Sequence, residues 1–204
     1  MKHVLLIGAH PDDIELGCGA SIATLAAQHI PMTALVLTAG EKGTDPPKYN
    51  RPQEARAALH YLGVQEVIFS DLPDTLLFTH FNSLVHILER TVKQVQPNRV
   101  YTHWSEDRHQ DHQAVWRASA IACRDVAQTL SYETPSSGLG YLPQTFQPFD
   151  ELALERKLHA IALHTSQAQR DYTRPEYCRS LAVFRGQQAG TPLAEGFVPW
   201  RYLL

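Results

Sequence analysis

Two short polar clusters, far apart in the chain, hold the residue types that hydrolytic metal chemistry needs. The first is His10-Pro11-Asp12-Asp13; the second runs Trp104-Ser105-Glu106-Asp107-Arg108-His109-Gln110-Asp111-His112. An imidazole nitrogen and a carboxylate oxygen are ordinary zinc ligands. His10 and Asp13, three positions apart where a strand meets a helix, can turn toward one cation while Asp12 points elsewhere. His109 and His112 share one face of the helix that the second cluster opens. Taken together, His10, Asp13 and His112 make a two-imidazole, one-carboxylate set, which leaves a fourth position for water, as catalytic zinc requires and structural zinc does not. Zinc lowers the pKa of its bound water toward ~7, and the unligated Asp12 is expected to accept the proton as hydroxide attacks a carbonyl. His109, held and kept cationic by Asp111 or another carboxylate, would stabilise the oxyanion; the alternative is His109 as a fourth ligand that closes the site. Metal-assisted hydrolysis is the reaction class, although iron and cobalt also suit such ligands.

These clusters need a scaffold that brings them together. Val4-Leu5-Leu6-Ile7 is an unbroken apolar run ended by Gly8-Ala9, the pattern of a strand buried on both faces. Periodicity then predicts a helix over about 14–29, a strand over 32–37, a helix over 52–62, a strand over 64–69, a helix over 80–96, a strand over 99–102 and a helix over 111–129. Residues 41–50 carry glycine, two prolines and charges and read as an exposed loop. Past Ser131 the proline-rich text to Pro148 reads as loop and short strand, followed by a helix near 151–163. The alternation predicts an α/β fold, a Rossmann-like three-layer sandwich with a mostly parallel sheet, formed by one domain over 1–204. In the strand order 3-2-1-4-5, strands one and four meet where the order reverses, and ligands bind over their carboxyl ends. Both clusters follow those two strands, so they share one crevice. A dinucleotide is disfavoured there, because two carboxylates stand where a glycine-rich phosphate loop would be.

Composition narrows the partners. With 204 residues, 44% hydrophobic and 19% charged, the chain can bury a full core. A formal net charge of -3 without runs of like charge marks no nucleic-acid face and no polybasic membrane patch. No apolar stretch reaches the ~18 residues that span a bilayer, and the start is unlike a signal peptide, so a cytoplasmic location is expected. Cys18, Cys123 and Cys178 form no CxxC pair, which points to neither a disulfide scaffold nor a thiolate zinc site.

The motifs resemble those of the PIG-L, or LmbE-like, family of zinc-dependent N-acetylglucosaminyl deacetylases. Ala9-His10-Pro11-Asp12-Asp13 followed by Gly17-Cys18-Gly19 is similar to the family's opening motif, and His109-Gln110-Asp111-His112 to its histidine-x-aspartate-histidine motif. Arg51-Pro-Gln-Glu54 before Leu62-Gly63, Tyr132-Glu133-Thr134, His164-Thr-Ser166-Gln167 and Ala194-Glu195-Gly196-Phe197 extend the likeness over most of the chain. The resemblance implies one Zn2+ per chain on His10, Asp13 and His112, Asp12 as general base, and His109 paired with Asp111 at the oxyanion. It also implies Arg51 at the substrate, an N-acetylated amino sugar as that substrate, and a homo-oligomer, trimer or hexamer. On the residues alone, Arg51 reads equally as a surface residue at a helix start. His3, His29, His60, His80, His86, His103 and His159 lack partners at ligand spacing and are expected on the surface or in the core.

Two rivals stand beside the deacetylase. One is an amidase for another N-acyl group, with the 41–50 loop and the 136–148 segment setting the acyl limit. The other is a protein that binds zinc and sugar without turnover, which the presence of both Asp12 and His109 argues against.

Overall fold

The computed structural model describes residues 2–43 and 50–203. Its centre is one seven-stranded sheet in the order β3-β2-β1-β4-β5-β7-β6. The first five strands, β1 (Val4–Gly8), β2 (Met32–Val36), β3 (Glu66–Phe69), β4 (Arg99–Thr102) and β5 (Gln128–Tyr132), are parallel. β7 (Ala194–Tyr202) returns antiparallel to β5, and β6 (Thr145–Pro148) pairs antiparallel with β7. Strand β1 is buried along its whole length because alternate residues serve opposite faces. Val4 and Leu6 join one core layer with α1 (Asp13–Ala27), α2 (Arg51–Leu62) and α5 (Glu151–Ala162). Leu5 and Ile7 join the other with α3 (Phe81–Val95) and α4 (Gln110–Ala122). The three-layer α/β sandwich and the central strand order expected from sequence are both present.

Three elements depart from expectation. The helix predicted to reach 129 stops at Ala122, and residues 128–132 form the fifth strand. Thr129, Leu130, Ser131 and Tyr132 are all buried, so burial in the sheet overrides the continuation of an alanine-rich helix. α6 (Pro175–Ala189) and β7 have no counterpart in the sequence-based reading. Only four residues of α6 are buried, Cys178, Ala182, Arg185 and Gly186, which leaves a weak apolar stripe. β7 contains Gly196 and Pro199, residues that usually interrupt a strand. Of the predicted 41–50 loop, residues 44–49 lie outside the described residues.

Helix α1 is broken in its second turn. Cys18 takes φ -145° and ψ 24°, outside the helical region, between the two glycines. Gly17 cannot carry a side chain, because a Cβ there would lie 2.2 Å from Cδ2 of Tyr132. The break leaves carbonyls and N–H groups without helical partners, and two buried side chains meet them. Lys157 Nζ donates to the Leu16 carbonyl at 2.7 Å, while Glu195 accepts from the N–H groups of Ala20 (3.1 Å) and Ser21 (2.8 Å). Cation at the end of one piece and carboxylate at the start of the next match the helix dipoles, and the two side chains pair with each other at 2.7 Å. Further bonds fix the same helix and its neighbour. His164 Nε2 meets Glu15 Oε1 at 2.8 Å, and Glu54 accepts from Thr165 and Ser166.

Candidate active site and metal cage

The two motif clusters lie side by side at the carboxyl ends of β1 and β4, which are adjacent in the sheet. His10 follows β1, Asp12 and Asp13 open α1, and His109 and His112 flank the start of α4. Asp12 sits at the N-cap with φ 113°, a left-handed conformation that costs a non-glycine residue of order 1–3 kcal/mol. Its carboxylate makes no capping bond, so the strained turn leaves it facing the cleft. The cleft holds about 330 Å³ and is also lined by Arg51, Asp74 and Ser136.

Donor groups of three residues converge in its floor. His10 Nδ1 lies 3.3 Å from Asp13 Oδ2 and 3.3 Å from His112 Nε2, and that Nε2 lies 3.2 Å from Asp13 Oδ1. A tetrahedral zinc with ligand bonds of ~2.0 Å has ligand-to-ligand edges of about 3.3 Å, so this triangle has the size of one face of such a site. The far nitrogen of each imidazole is held by carboxylates. His10 Nε2 faces Asp74 at 3.1 Å and Asp111 at 3.2 Å, and His112 Nδ1 faces Asp107 at 3.1 Å. Carboxylates on the outer nitrogen fix ring orientation and raise the basicity of the inner one, as metal-binding histidines require. The donor set therefore fits a metal ion. Among the described residues, three groups have donor atoms close enough together to hold one: His10, His109 and His112; Asp13, His103 and His112; and His10, Asp74 and Asp111.

Electrostatics agrees with this geometry. Burial alone would lower the pKa values of both histidines, yet Asp111, Asp13 and Asp74 raise that of His10 well above its usual value. Asp13 and Asp107 similarly lift His112 to about 9. Burial would push Asp13 up, but His112, His103 and His10 hold it well below the carboxylate range. The cage thus favours positive charge, which a divalent cation would supply in place of protons. Asp12 differs: burial raises its pKa to about 6 against the pull of Arg51, which places it near the range useful for a general base.

Not every expected pairing is found. The Asp111 carboxylate does not hold His109; it bonds His10 and the N–H groups of Thr75 (2.7 Å) and Leu77 (3.2 Å). What meets His109 Nδ1 is the backbone N–H of Asp111 at 3.2 Å, because His109 is the N-cap of α4. Burial, with the charges of His112 and His10, lowers the His109 pKa, which opposes a cationic ring. With Nδ1 accepting, its proton lies on Nε2. Arg51 is buried, not a surface residue: it donates to the carbonyls of Gly40 (3.0 Å) and Pro11 (2.7 Å) and reaches Asp12 Oδ1 at 3.3 Å.

Sequence reasoning missed Asp74, Asp107 and His103. Asp107 accepts from the His109 N–H and from Thr134 and Ser136. Burial would raise its pKa, but His112, Ser136 and Thr134 hold it far below the ordinary carboxylate range. Its position in the loop after β4, two residues before His109, was the available signal. Asp74 lies in the loop after β3, whose end joins the same crevice through the strand order. His103 is fully buried and stacks on His112 with ring centres 3.9 Å apart. It accepts from the Ala9 N–H at 3.0 Å and faces the Tyr132 hydroxyl at 3.1 Å, tying β4 to β1 behind the cage.

Comparison with known proteins gives the chain its family. Residues 5–123 match the family model PIG-L, described as GlcNAc-PI de-N-acetylase. The chain is 45% identical over 170 residues to the uncharacterized deacetylase YaiS of Escherichia coli (strain K12), covering 81% of this chain and 91% of the relative. It is 26% identical over 230 residues to the diacetylchitobiose deacetylase of Thermococcus kodakarensis, covering 100% and 85%. In fold it superposes on the conserved protein TT1542 of Thermus thermophilus with a TM-score of 0.88 at 24% identity, over 100% of this chain and 97% of that one. The chain belongs to the PIG-L family of de-N-acetylases. It is accordingly an enzyme of the deacetylase class, a hydrolase of amide C–N bonds. No helix among the described residues is long and apolar enough to cross a membrane.

Proposed function

We propose that the protein removes the acetyl group from an N-acetylglucosamine-type amino sugar or its conjugate, with one zinc ion held by His10, Asp13 and His112. The observation that carries this reading is the triangle of inward-facing donor atoms, each imidazole backed by a carboxylate, with an unligated Asp12 beside it. A cation bound there would polarise the amide carbonyl and acidify the attacking water. Asp12, pushed to about 6, accepts the proton from that water and returns it to the departing amine. Arg51 keeps the Asp12 carboxylate facing the cleft and forms part of the wall against which the sugar lies. His109 donates its Nε2 proton to the developing oxyanion, while Asp111 acts through His10, whose ring it orients. The sugar substrate draws support from the family description and from the chitobiose deacetylase relative. A homo-oligomer working in the cytoplasm remains part of the proposal.

The test is acetate release from N-acetylglucosamine, its oligomers and several N-acetylglucosaminides, with zinc-loaded parent and Asp12→Asn proteins. The parent releases acetate, and the variant keeps its metal but loses ~10²-fold or more in kcat if Asp12 is the base. Equal rates would remove Asp12 from the mechanism. Faster release of a longer acyl group than of acetate would replace the deacetylase with a broader amidase.

A further inference from the structure

Among the described residues, four other than glycine take a positive φ: Asp12, His29, Thr75 and Gln96. His29 and Gln96 follow helices α1 and α3, where a left-handed residue is ordinary. Asp12 and Thr75 instead line the cleft. Thr75, at φ 67°, is the β-branched member of the four, and a β-branched side chain crowds its own backbone in that region. The turn in which it sits imposes the strain. The Leu76 N–H donates to the Pro73 carbonyl at 3.3 Å, which makes Asp74 and Thr75 the central residues of a four-residue turn. A positive φ at Thr75 and not at Asp74 is the pattern of a type II turn, in which the second central residue is usually glycine.

Contacts to the site hold this turn in place. Asp74 Oδ1 faces His10 Nε2 at 3.1 Å, the Thr75 N–H donates to Asp111 Oδ2 at 2.7 Å, and the Thr75 carbonyl accepts from Gln110 Nε2 at 2.6 Å. Both bonds at residue 75 come from its backbone, and glycine would make them without the strain. A threonine at such a position points to a task for its side chain, and its place in the cleft wall locates that task. The reacting carbon of the substrate narrows it further. The oxygen of that carbon is drawn to the metal and to His109, and its nitrogen departs toward Asp12, which Arg51 holds. Thr75 is tied to Gln110 and Asp111, the two residues that follow His109 at the start of α4. The acyl chain, the remaining substituent, is left to this wall beside His109.

We propose that Thr75 limits the acyl group to acetyl, its two Cβ branches filling the space that the further carbons of a longer acyl chain would need. This rests on the deacetylase reading, and it places the limit outside both segments to which the sequence assigned it, 41–50 and 136–148. A side chain that excludes a longer chain acts through its size, so valine can take the place of threonine and glycine cannot.

The experiment compares zinc-loaded full-length parent, Thr75→Gly and Thr75→Val proteins on N-acetyl-, N-propionyl- and N-butyrylglucosamine, following release of the free amine. The parent should lose about 10-fold or more in kcat/KM for each added methylene. Thr75→Gly should shrink the acetyl-to-butyryl ratio by about 10-fold or more, whereas Thr75→Val should keep it. Thr75→Gly should also melt at a higher temperature than the parent, because its turn is relieved of strain. A ratio near one in the parent, an unchanged ratio or a lower melting temperature in Thr75→Gly, or a ratio lost in Thr75→Val overturns the proposal while leaving the deacetylase standing. Absence of amine release from every member fails the deacetylase reading instead. Acetate and butyrate are then titrated into the cobalt-loaded proteins and followed in the visible spectrum. Tighter binding of acetate in the parent, equalised in Thr75→Gly, supports the proposal; equal binding in the parent, or a preference unchanged in Thr75→Gly, overturns it.

Discussion

The cage beneath the cleft and the clamp on helix α1 bury charge to a similar depth but complete it differently. In the clamp, Lys157 and Glu195 each retain only 7% side-chain exposure, and each is answered by the other and by backbone atoms of the broken helix. In the cage, Asp13, Asp74, Asp107 and Asp111 surround His10 and His112, and two ring nitrogens and a carboxylate are left facing one another. A closed set of charges holds a shape, whereas an incomplete one binds something. The contrast separates the part of this protein that positions from the part that reacts.

The clamp should show the larger effect. Glu195→Ala leaves Lys157 buried without its partner and should cost about 3–5 kcal/mol, measured by urea unfolding. A loss below about 1 kcal/mol would put the pair in the class of exposed ion pairs and erase the distinction. In the cage, Asp111→Asn should keep the fold while weakening metal affinity ~10–100-fold in competition with a chromophoric chelator. Unchanged affinity would show that His10 needs no carboxylate behind it.

The smallest effect belongs to His164 and Glu15, a second buried pair. Burial opposes the charge on His164, but Glu15 outweighs it and raises the pKa above 6.5. A raised histidine pKa contributes stability that is complete below the unfolded value of about 6.5 and fades as pH rises through the folded value. The parent should therefore exceed Glu15→Gln in stability most below about pH 6.5, with the gap narrowing as pH rises through the raised value. A gap that widens over that range would mean that the pair is not an ion pair.

Much of the reacting part could be read from sequence, because its residues cluster within short motifs directly after two strands. His10, Asp13 and His112 meet, with Asp12 beside them, since strand order alone brings the ends of β1 and β4 together. Asp74 escaped notice because a lone aspartate in a loop after β3 resembles any turn residue. His103 escaped because a histidine at the end of a strand carries no spacing that marks it. The side chain of Asp111 was assigned to the nearer histidine, whereas the helix start turns it toward His10 and the loop at Thr75. The positioning part was legible only as motifs without a purpose. Gly17-Cys18-Gly19, His164 and Glu195 acquire one when helix α1 breaks and the last strand reaches it.

That last strand gives the broken helix a history as well as a shape. A chain emerging from the ribosome displays both chemical motifs by residue 112, but the carboxylate that secures the second piece of α1 lies on β7. Until residues 194–202 are released and paired with β5, Lys157 has no counter-charge and the turn bearing Asp12 and Asp13 has no clamp behind it. A nascent chain halted before β7 carries every reactive side chain of the site without the carboxylate that secures the second piece of α1.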